Sequence, residues 1–326
     1  MKAVIHTRYG PPDILRLGEV ELPVTKDDEV LVRVSAATVN RTDCANLRAK
    51  PFFMRLVTGL LRPKKKVPGT EFAGVIKAVG NRVPTLAPGD KVFGFDDEVS
   101  GSQAQYLVIK DDKLVKMPDG ISFEQAAASS EGFHYAYNFI NKVRIERGQD
   151  VLVNGATGAI GSAMVQLLVY YGVNVTAVCA TKSIELVKSL GAKKVIDFEK
   201  QDFTKDGQTY NYVFDTVGKS SFFKCMKLLK PGGIYISSDL GYMSQNLFLP
   251  LLTPLIRPLL KNRKTVFPVP VDIKGSLLLV KELIEQGKFK AVIDRSFLLE
   301  QIVDAYNYVE TGEKTGNVVI SIDNKS

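Results

Sequence analysis

Residues 150–161 read D-V-L-V-N-G-A-T-G-A-I-G, from Asp150 to Gly161, and the rest of the chain arranges itself around them. Val151, Leu152 and Val153 form a short apolar run with β-branched residues, long enough for a buried strand and too short for a helix. A turn of small residues follows, then the helix-like stretch Ala159 to Tyr171. Ala156, Gly158 and Gly161 occupy the three small-residue positions of a dinucleotide fingerprint set between a strand and a helix. In that reading a small residue at 156 permits the tight turn, Gly158 lets the backbone approach a pyrophosphate, and Gly161 lets the helix pack close on the strand. Thr157, Ala159 and Ile160 complete the loop, where a helix N-terminus offers N–H groups and partial positive charge to phosphates. The first glycine of the pattern is here alanine, and one such pattern is weak by itself. A turn that serves only helix–sheet packing, or one that binds a methyl donor, fits the same letters.

The next strand chooses between nicotinamide cofactors. Val173 to Cys179 is a second apolar run after Gly172, which completes a strand–helix–strand unit. An NAD site places Asp or Glu at the end of this strand, about 20 residues after the glycines, to bind the ribose hydroxyls. Here the letters are Cys179, Ala180, Thr181, Lys182 and Ser183. With no carboxylate to repel a 2′-phosphate and Lys182 to attract it, the expected cofactor is NADPH. The alternative is a set of ordinary solvated turn residues.

The 326 residues suggest two domains. Residues 1–121 read as short strands broken by Gly/Pro turns: Glu29 to Ser35, Gly74 to Val79, Lys91 to Phe95, Tyr106 to Ile109 and Lys113 to Lys116. Ser122 with Gln125 forms a plausible capping box that opens a helix through Ala126–Ala128. Within 122–271, strands and helices alternate, with strands at Lys194–Ile196, Tyr212–Phe214, Ile234–Ser237 and last Thr265–Val271. Such alternation is the signature of an α/β domain with a doubly wound parallel sheet. Residues 272–326 give two amphipathic helices, Ser276–Gln286 and Glu300–Thr311, and a final strand Asn317–Ile322.

Composition is that of an ordinary globular chain, with 45% hydrophobic and 24% charged residues. MKAVIHTRYG reads as a strand, so no signal peptide is expected, and no run reaches the roughly 18 apolar residues of a membrane span. The three cysteines, Cys44, Cys179 and Cys225, are odd in number and far apart, which fits a reducing cytoplasm. A net charge of +8 favours anionic ligands, but the basic residues are mostly scattered and no nucleic-acid motif accompanies them.

The arrangement resembles the medium-chain dehydrogenase/reductases, and the resemblance runs the full length. It is carried by Gly69-Thr70-Glu71-Phe72-Ala73-Gly74, Pro88-Gly89-Asp90-Lys91-Val92, Asn154 to Gly161, Leu190-Gly191-Ala192, Phe214-Asp215-Thr216-Val217-Gly218 and Lys230-Pro231-Gly232-Gly233. It implies a GroES-like β-rich catalytic domain (1–121 and 272–326) and a Rossmann NADPH-binding domain (122–271), with Asp215 and Val217 beside the cofactor. The zinc alcohol dehydrogenases of that family hold their metal with Cys, His and a later Cys, positions that fall here at Asn40, Thr70 and about Ser130. Phe95 to Gln105 lacks the cysteine cluster of a structural zinc, and His6 and His134 are the only histidines. A metal-free site is therefore expected.

The chain thus resembles the zinc-independent quinone oxidoreductase branch, which uses NADPH. Asn40-Arg41-Thr42-Asp43 looks like that branch's N-x-x-D segment. The resemblance gives Asn40 a place facing nicotinamide and substrate, where it could donate to a developing oxyanion. Asp43 would orient a neighbour, with a structural strand-end role as the alternative. His134 stands where the branch often has a threonine under the nicotinamide, and a satisfied helix-start histidine is the other reading. The implied activity is hydride transfer from NADPH to a small lipophilic quinone, enone or 2-alkenal, in a cytoplasmic homodimer. A 2-enoyl-thioester reductase and a non-catalytic NADPH-binding or membrane-associated protein are the rivals. Phe52 to Lys66 and Leu247 to Lys264 each join an apolar run to a basic cluster. They would line a substrate mouth or touch an anionic membrane, unless they simply pack on the core or a dimer face.

Overall fold

A computed structural model describes residues 1–326 except 53–54, 97, 99–100, 238, 240–244, 253–257, 259 and 323–326. The chain forms two compact units, Met1–Glu131 with Asp272–Ser326, and Gly132–Val271. Residues 122–131, grouped with the dinucleotide stretch in the sequence reading, lie in the first unit.

In the second unit six parallel strands lie in the order Lys194–Asp197, Asn174–Cys179, Asp150–Asn154, Tyr210–Asp215, Leu229–Ser237, Lys264–Val266. This is the strand order of two mononucleotide-binding halves, which reverses direction beside Asp150–Asn154. Leu152, Val178, Ile196, Val213, Phe222 and Tyr235 fill one of its buried cores. The last strand stops at Val266 rather than reaching Val271. Pro268 and Pro270 remove two backbone donors, so the ladder ends before them.

The first unit is built on the strand Glu29–Val39, longer than the alternation in Glu29–Ser35 suggests. Beyond Ser35 it continues through Ala36 and Ala37, buried small residues that carry no visible alternation. It pairs antiparallel with Glu71–Val79, with Tyr106–Lys110 and with Asn317–Ser321. Val30, Val32, Phe72, Ile76, Leu107 and Tyr306 pack in its core. Ser122 caps the helix Phe123–Ala127 by accepting from the Gln125 N–H. The strand Ile293–Leu298, parallel to Asn317–Ser321, has no counterpart in the sequence reading because its polar letters Asp294, Arg295 and Ser296 hide the pattern.

No helix among the described residues is long and apolar enough to cross a membrane. In the 52–66 stretch, Phe52, Leu56, Leu60 and Leu61 are exposed, Leu61 by 85%. Arg55 lies over the rings of Tyr9 and Phe52 at 5.1 Å from each centroid. Residues 253–257 and 259 of the 247–264 stretch lie outside the described residues.

Candidate functional site

The strand Asp150–Asn154 runs into a turn and then the helix Ala159–Tyr170. The tight turn falls on Gly155, which has φ of 82°, a conformation that favours glycine; Ala156 beside it is buried. The residue that sets the turn is thus Gly155 and not Ala156. Gly161 packs as its position in the fingerprint requires. A Cβ there would stand 2.0 Å from the Gly155 carbonyl oxygen and 2.9 Å from Ala156 Cα. Gly158 differs: a Cβ would meet only Gly155 O, at 3.8 Å. Gly158 is also the N-cap and brings no side chain to the first turn of the helix, while Thr157, Ala159 and Ile160 are half-buried. An open glycine face and uncapped N–H groups at one place are what a pyrophosphate needs.

Asp215 serves this loop from inside. Its Oδ1 accepts from Asn154 Nδ2 at 3.0 Å, Val217 N at 3.3 Å and Gly218 N at 3.0 Å. Its Oδ2 accepts from Ser220 N at 3.0 Å and Tyr235 OH at 2.9 Å. With five donors on a fully buried carboxylate, no lone pair is left for a ligand. Asp215 therefore fixes the 216–220 turn. Val217, which that turn presents, is 43% exposed. Its Cβ stands where a Cβ on Gly155 would come within 2.8 Å.

At the end of the second strand Cys179 is buried, and Thr181 and Lys182 are exposed. Thr181 Oγ1 donates to Asp197 Oδ2 at 2.6 Å and its N–H to Glu199 Oε2 at 3.0 Å. Residues 179–183 carry no carboxylate of their own, but Asp197, the last residue of the neighbouring strand, and Glu199 just beyond it reach Thr181, which the spacing along one strand does not reveal. Asp197 also accepts from the Glu199 N–H and lies 3.5 Å from Lys200 Nζ. Its Thr181 hydrogen bond, first among these partners, holds its carboxyl below the usual range.

The first unit brings together a polar cluster where three strand ends meet. Glu29–Val39 ends at Asn40, Glu71–Val79 begins at Glu71, and Asn317–Ser321 begins just after Gly316. Asn40 opens the helix Arg41–Arg48, with its N–H donating to Asp43 Oδ2 at 2.7 Å. Its side-chain amide donates to Glu71 Oε2 at 2.5 Å and to Glu131 Oε2 at 3.4 Å. Glu71 also accepts from Thr38 Oγ1 and, at 2.5 Å, from the Glu131 N–H. Glu131 accepts from the hydroxyls of Thr42 and Thr70. Lys314 Nζ donates to Asn40 Oδ1 at 3.4 Å and to Gly316 O at 2.5 Å.

Burial dominates the electrostatics of this cluster. It raises the carboxyls of Glu71 and Asp43 well above their ordinary range, with the Glu131 charge adding to both. It raises Glu131 too, against the pull of its hydroxyl donors Thr42 and Thr70. It lowers Lys314 to about 8, although Glu131 and Glu71 favour its charged form. The amide N–H groups of Asn40 thus face the carboxyls of Glu71 and Glu131. Glu71, Glu131, Thr38 and Lys314 were not singled out in the sequence. Glu71 lies inside the G-T-E segment that carries the resemblance, so a signal for it was present. Lys314 had none, because only strand pairing brings it to Asn40.

His134 lies on the helix Glu131–Ile140, buried. Its ring nitrogens are 3.3 and 3.5 Å from Asn138 Nδ2. Asn138 also donates to the His134 carbonyl at 2.9 Å and accepts from the Val271 N–H at 2.9 Å. These contacts suit a satisfied helix histidine.

Known proteins share this architecture. Residues 26–119 match the alcohol dehydrogenase GroES-like domain, and residues 190–320 match a family described as zinc-binding dehydrogenase. The 2-methylene-furan-3-one reductase of Solanum lycopersicum is 33% identical over 98% of this chain and 79% of its own length. The chloroplastic NADPH-dependent alkenal/one oxidoreductase of Arabidopsis thaliana is 31% identical with the same coverage. In fold, the quinone oxidoreductase from Coxiella burnetii superposes with a TM-score of 0.86 over 99% of both chains, at 23% identity. The chain is a medium-chain dehydrogenase/reductase. It belongs with the quinone-oxidoreductase-like members of that superfamily.

The donor set of this member does not suit zinc. The three ligand positions carry Asn40, Thr70 and Ser130, an amide and two hydroxyls, where zinc takes thiolate, imidazole or carboxylate. Asn40 and Thr70 are already bonded to carboxylates, and Ser130 Oγ is buried without a hydrogen-bond partner. Cys44 packs in the hydrophobic core, and burial pushes its thiol far up. No group of three His, Cys, Asp or Glu among the described residues is arranged to hold a metal.

Proposed function

We propose that this chain is a zinc-independent, NADPH-dependent reductase of a quinone, enone or 2-alkenal. One observation carries the reading: an open glycine turn at a helix N-terminus accompanies a polar cluster whose donors do not suit zinc. The kinship with an alkenal/one oxidoreductase and a furanone reductase supports it.

NADPH, when bound, supplies the hydride. Residues 155–161 would carry its pyrophosphate, with the N–H groups at Ala159, Ile160 and Gly161 turned to the phosphates and Gly158 giving room. Val217 would pack on the cofactor beside Gly155. Thr181 and Lys182, at the rim beyond Cys179, would meet the 2′-phosphate, with Asp197 neutralised in part by Lys200. A conjugated carbonyl is polarised by its own structure, so its reduction does without a metal Lewis acid. Unactivated alcohols lack that help and fall outside this activity. In the first unit, Asn40 and Asp43 would shape the polar wall of the catalytic domain. The exposed Phe52, Leu56, Leu60 and Leu61 would serve a lipophilic acceptor, and a basic run at Lys64, Lys65 and Lys66 would be the part to meet an anionic membrane. A cytoplasmic homodimer completes the proposal.

The test is consumption of NADPH against NADH with an ortho-quinone and a 2-alkenal. NADPH-selective turnover of either acceptor is expected. Binding of neither nicotinamide would overturn the reading of the 150–161 loop, and binding without turnover of any acceptor would overturn the reductase.

A further inference from the structure

The first unit buries three carboxyls, Asp43, Glu71 and Glu131, and among the described residues the ammonium that bonds to this cluster is that of the half-buried Lys314. Buried carboxylates need a compensating positive charge or a proton. Where a zinc member of the superfamily has a dication, the side chains here leave that task to one lysine. Its position is built: Gly316, with φ of 72°, turns the chain ahead of the strand Asn317–Ser321, which pairs Val318 with Val39. The turn sets Lys314 against the Asn40 amide oxygen, while the amide nitrogen faces Glu71 and Glu131. One amide is thus clamped between an ammonium and two carboxylates.

We propose that Lys314 is the internal cation of this site, a positioning residue that neutralises Glu71 and Glu131 and fixes Asn40 in the absence of zinc. The inference deepens the reductase reading, although two of its three tests do not depend on that reading. The groups facing the Lys314 ammonium are Glu131, Glu71 and Asp43, with Cys44 and Arg41 near; Thr38, Thr42 and Thr70 complete the shell. Glu131 is the partner to neutralise, since its hydroxyl donors can turn to accept from an amide. Glu71 faces the Glu131 backbone N–H, which cannot turn.

Lys314→Met, Glu131→Gln and the double variant are compared with the wild type in the full chain. The change in urea midpoint on Lys314→Met at neutral pH is expected to be less favourable with Glu131 present than in the Glu131→Gln background, because only Glu131 is left without its counter-charge. Equal shifts on Lys314→Met in the Glu131 and Glu131→Gln backgrounds overturn the proposal. Equilibrium dialysis against Co²⁺ should show no uptake at the wild-type cluster. One Co²⁺ per chain, lost in Glu131→Gln, would show a metal where the lysine is claimed to act. In turnover, Lys314→Met should reduce kcat at least ten-fold with the NADPH KM unchanged, and the double variant should recover part of it. The wild-type kcat should fall above about pH 8, where Lys314 gives up its proton, and the double variant should lack that fall. An identical alkaline limb in both overturns the positioning role. If no acceptor is reduced by any form, the reductase reading fails, while the urea and Co²⁺ results still decide the cation.

Discussion

Two glycines three residues apart in one loop should respond to the same substitution in opposite ways. At Gly161 an added methyl would lie 2.0 Å from Gly155 O, 2.8 Å from Gly155 C and 2.9 Å from Ala156 Cα. All three are backbone atoms, which cannot rotate aside. Overpacking of this kind costs about 3 kcal/mol at the upper end of its usual range. The gain in helix propensity from glycine to alanine returns about 1 kcal/mol. Gly161→Ala should therefore lose about 2 kcal/mol, which lowers the melting point of a unit this size by roughly 4–8 °C. At Gly158 the φ of −69° suits alanine and the nearest atom is 3.8 Å away. The loss of glycine at an N-cap costs up to about 1 kcal/mol. The stiffer unfolded chain returns a similar amount, about 0.4–1 kcal/mol. Gly158→Ala should thus fold with stability within about 0.5 kcal/mol of wild type. Its methyl nevertheless stands where the pyrophosphate would pass, so NADPH affinity should fall at least ten-fold, or about 1.4 kcal/mol. Urea unfolding and NADPH fluorescence titration on both variants decide the matter. Unchanged NADPH affinity in Gly158→Ala, or equal destabilisation by the two, would refute the reasoning about this loop.

Other substitutions test the second unit and the buried cluster. Asp215→Asn puts an amide against the Ser220 N–H and should cost about 2–3 kcal/mol in urea unfolding, as expected for loss of charged hydrogen bonds. Lys182→Glu should weaken NADPH binding about ten-fold, by roughly the 1–2 kcal/mol of an exposed charge reversal, and leave NADH binding unchanged in the same titration. The raised carboxyls of Asp43, Glu71 and Glu131 keep protons in the folded chain that the unfolded chain has already released. Their contribution to stability is full below the unfolded carboxyl range and is lost as pH rises through the folded values. Lys314 acts oppositely: folded it releases its proton at about 8 and unfolded at 10.5, so stability returns between those values. Urea midpoints should therefore fall as pH rises above the unfolded carboxyl range and recover as Lys314 loses its proton from about 8 upward, and the fall should be smaller in Glu131→Gln.

The parallel sheet was legible because each of its strands carries its own signal. Val151 to Val153 and Val175 to Cys179 are buried on both faces and apolar at every position but Thr176, as strands covered on both sides tend to be, and glycines flank them. Errors came where a neighbour in space decides. The strand after Lys264 stops early because of Pro268 and Pro270, and the strand at Ile293 is hidden by polar letters. At the rim beyond Cys179, the absence of a carboxylate along the chain was correctly read, yet Asp197 and Glu199 reach Thr181 across the sheet. Parallel pairing of Asp197 with Cys179 brings them there, and register of that kind is not written in either strand alone.

The polar cluster makes the same point more sharply. Its chemistry depends on the sum of charges in one buried volume, and the contributing letters lie at 40, 43, 71, 131 and 314. Asn40 and Asp43 could be singled out because they share one short segment, and the departure of Thr70 and Ser130 from thiol and imidazole could be seen from the segments around them. What could not be read was that losing the metal ligands left carboxylates behind. Glu71 is only a letter in G-T-E until Thr38, Asn40 and the Glu131 N–H surround it. Lys314, in a polar turn beside Glu313 and Thr315, has the look of a solvated lysine. The antiparallel pairing of Val318 with Val39 changes its meaning, because that register carries the turn before it to the end of the Asn40 strand. A site assembled from strand ends therefore hides its counter-ion from any reading along the chain, and charge balance in the folded unit is the argument that finds it.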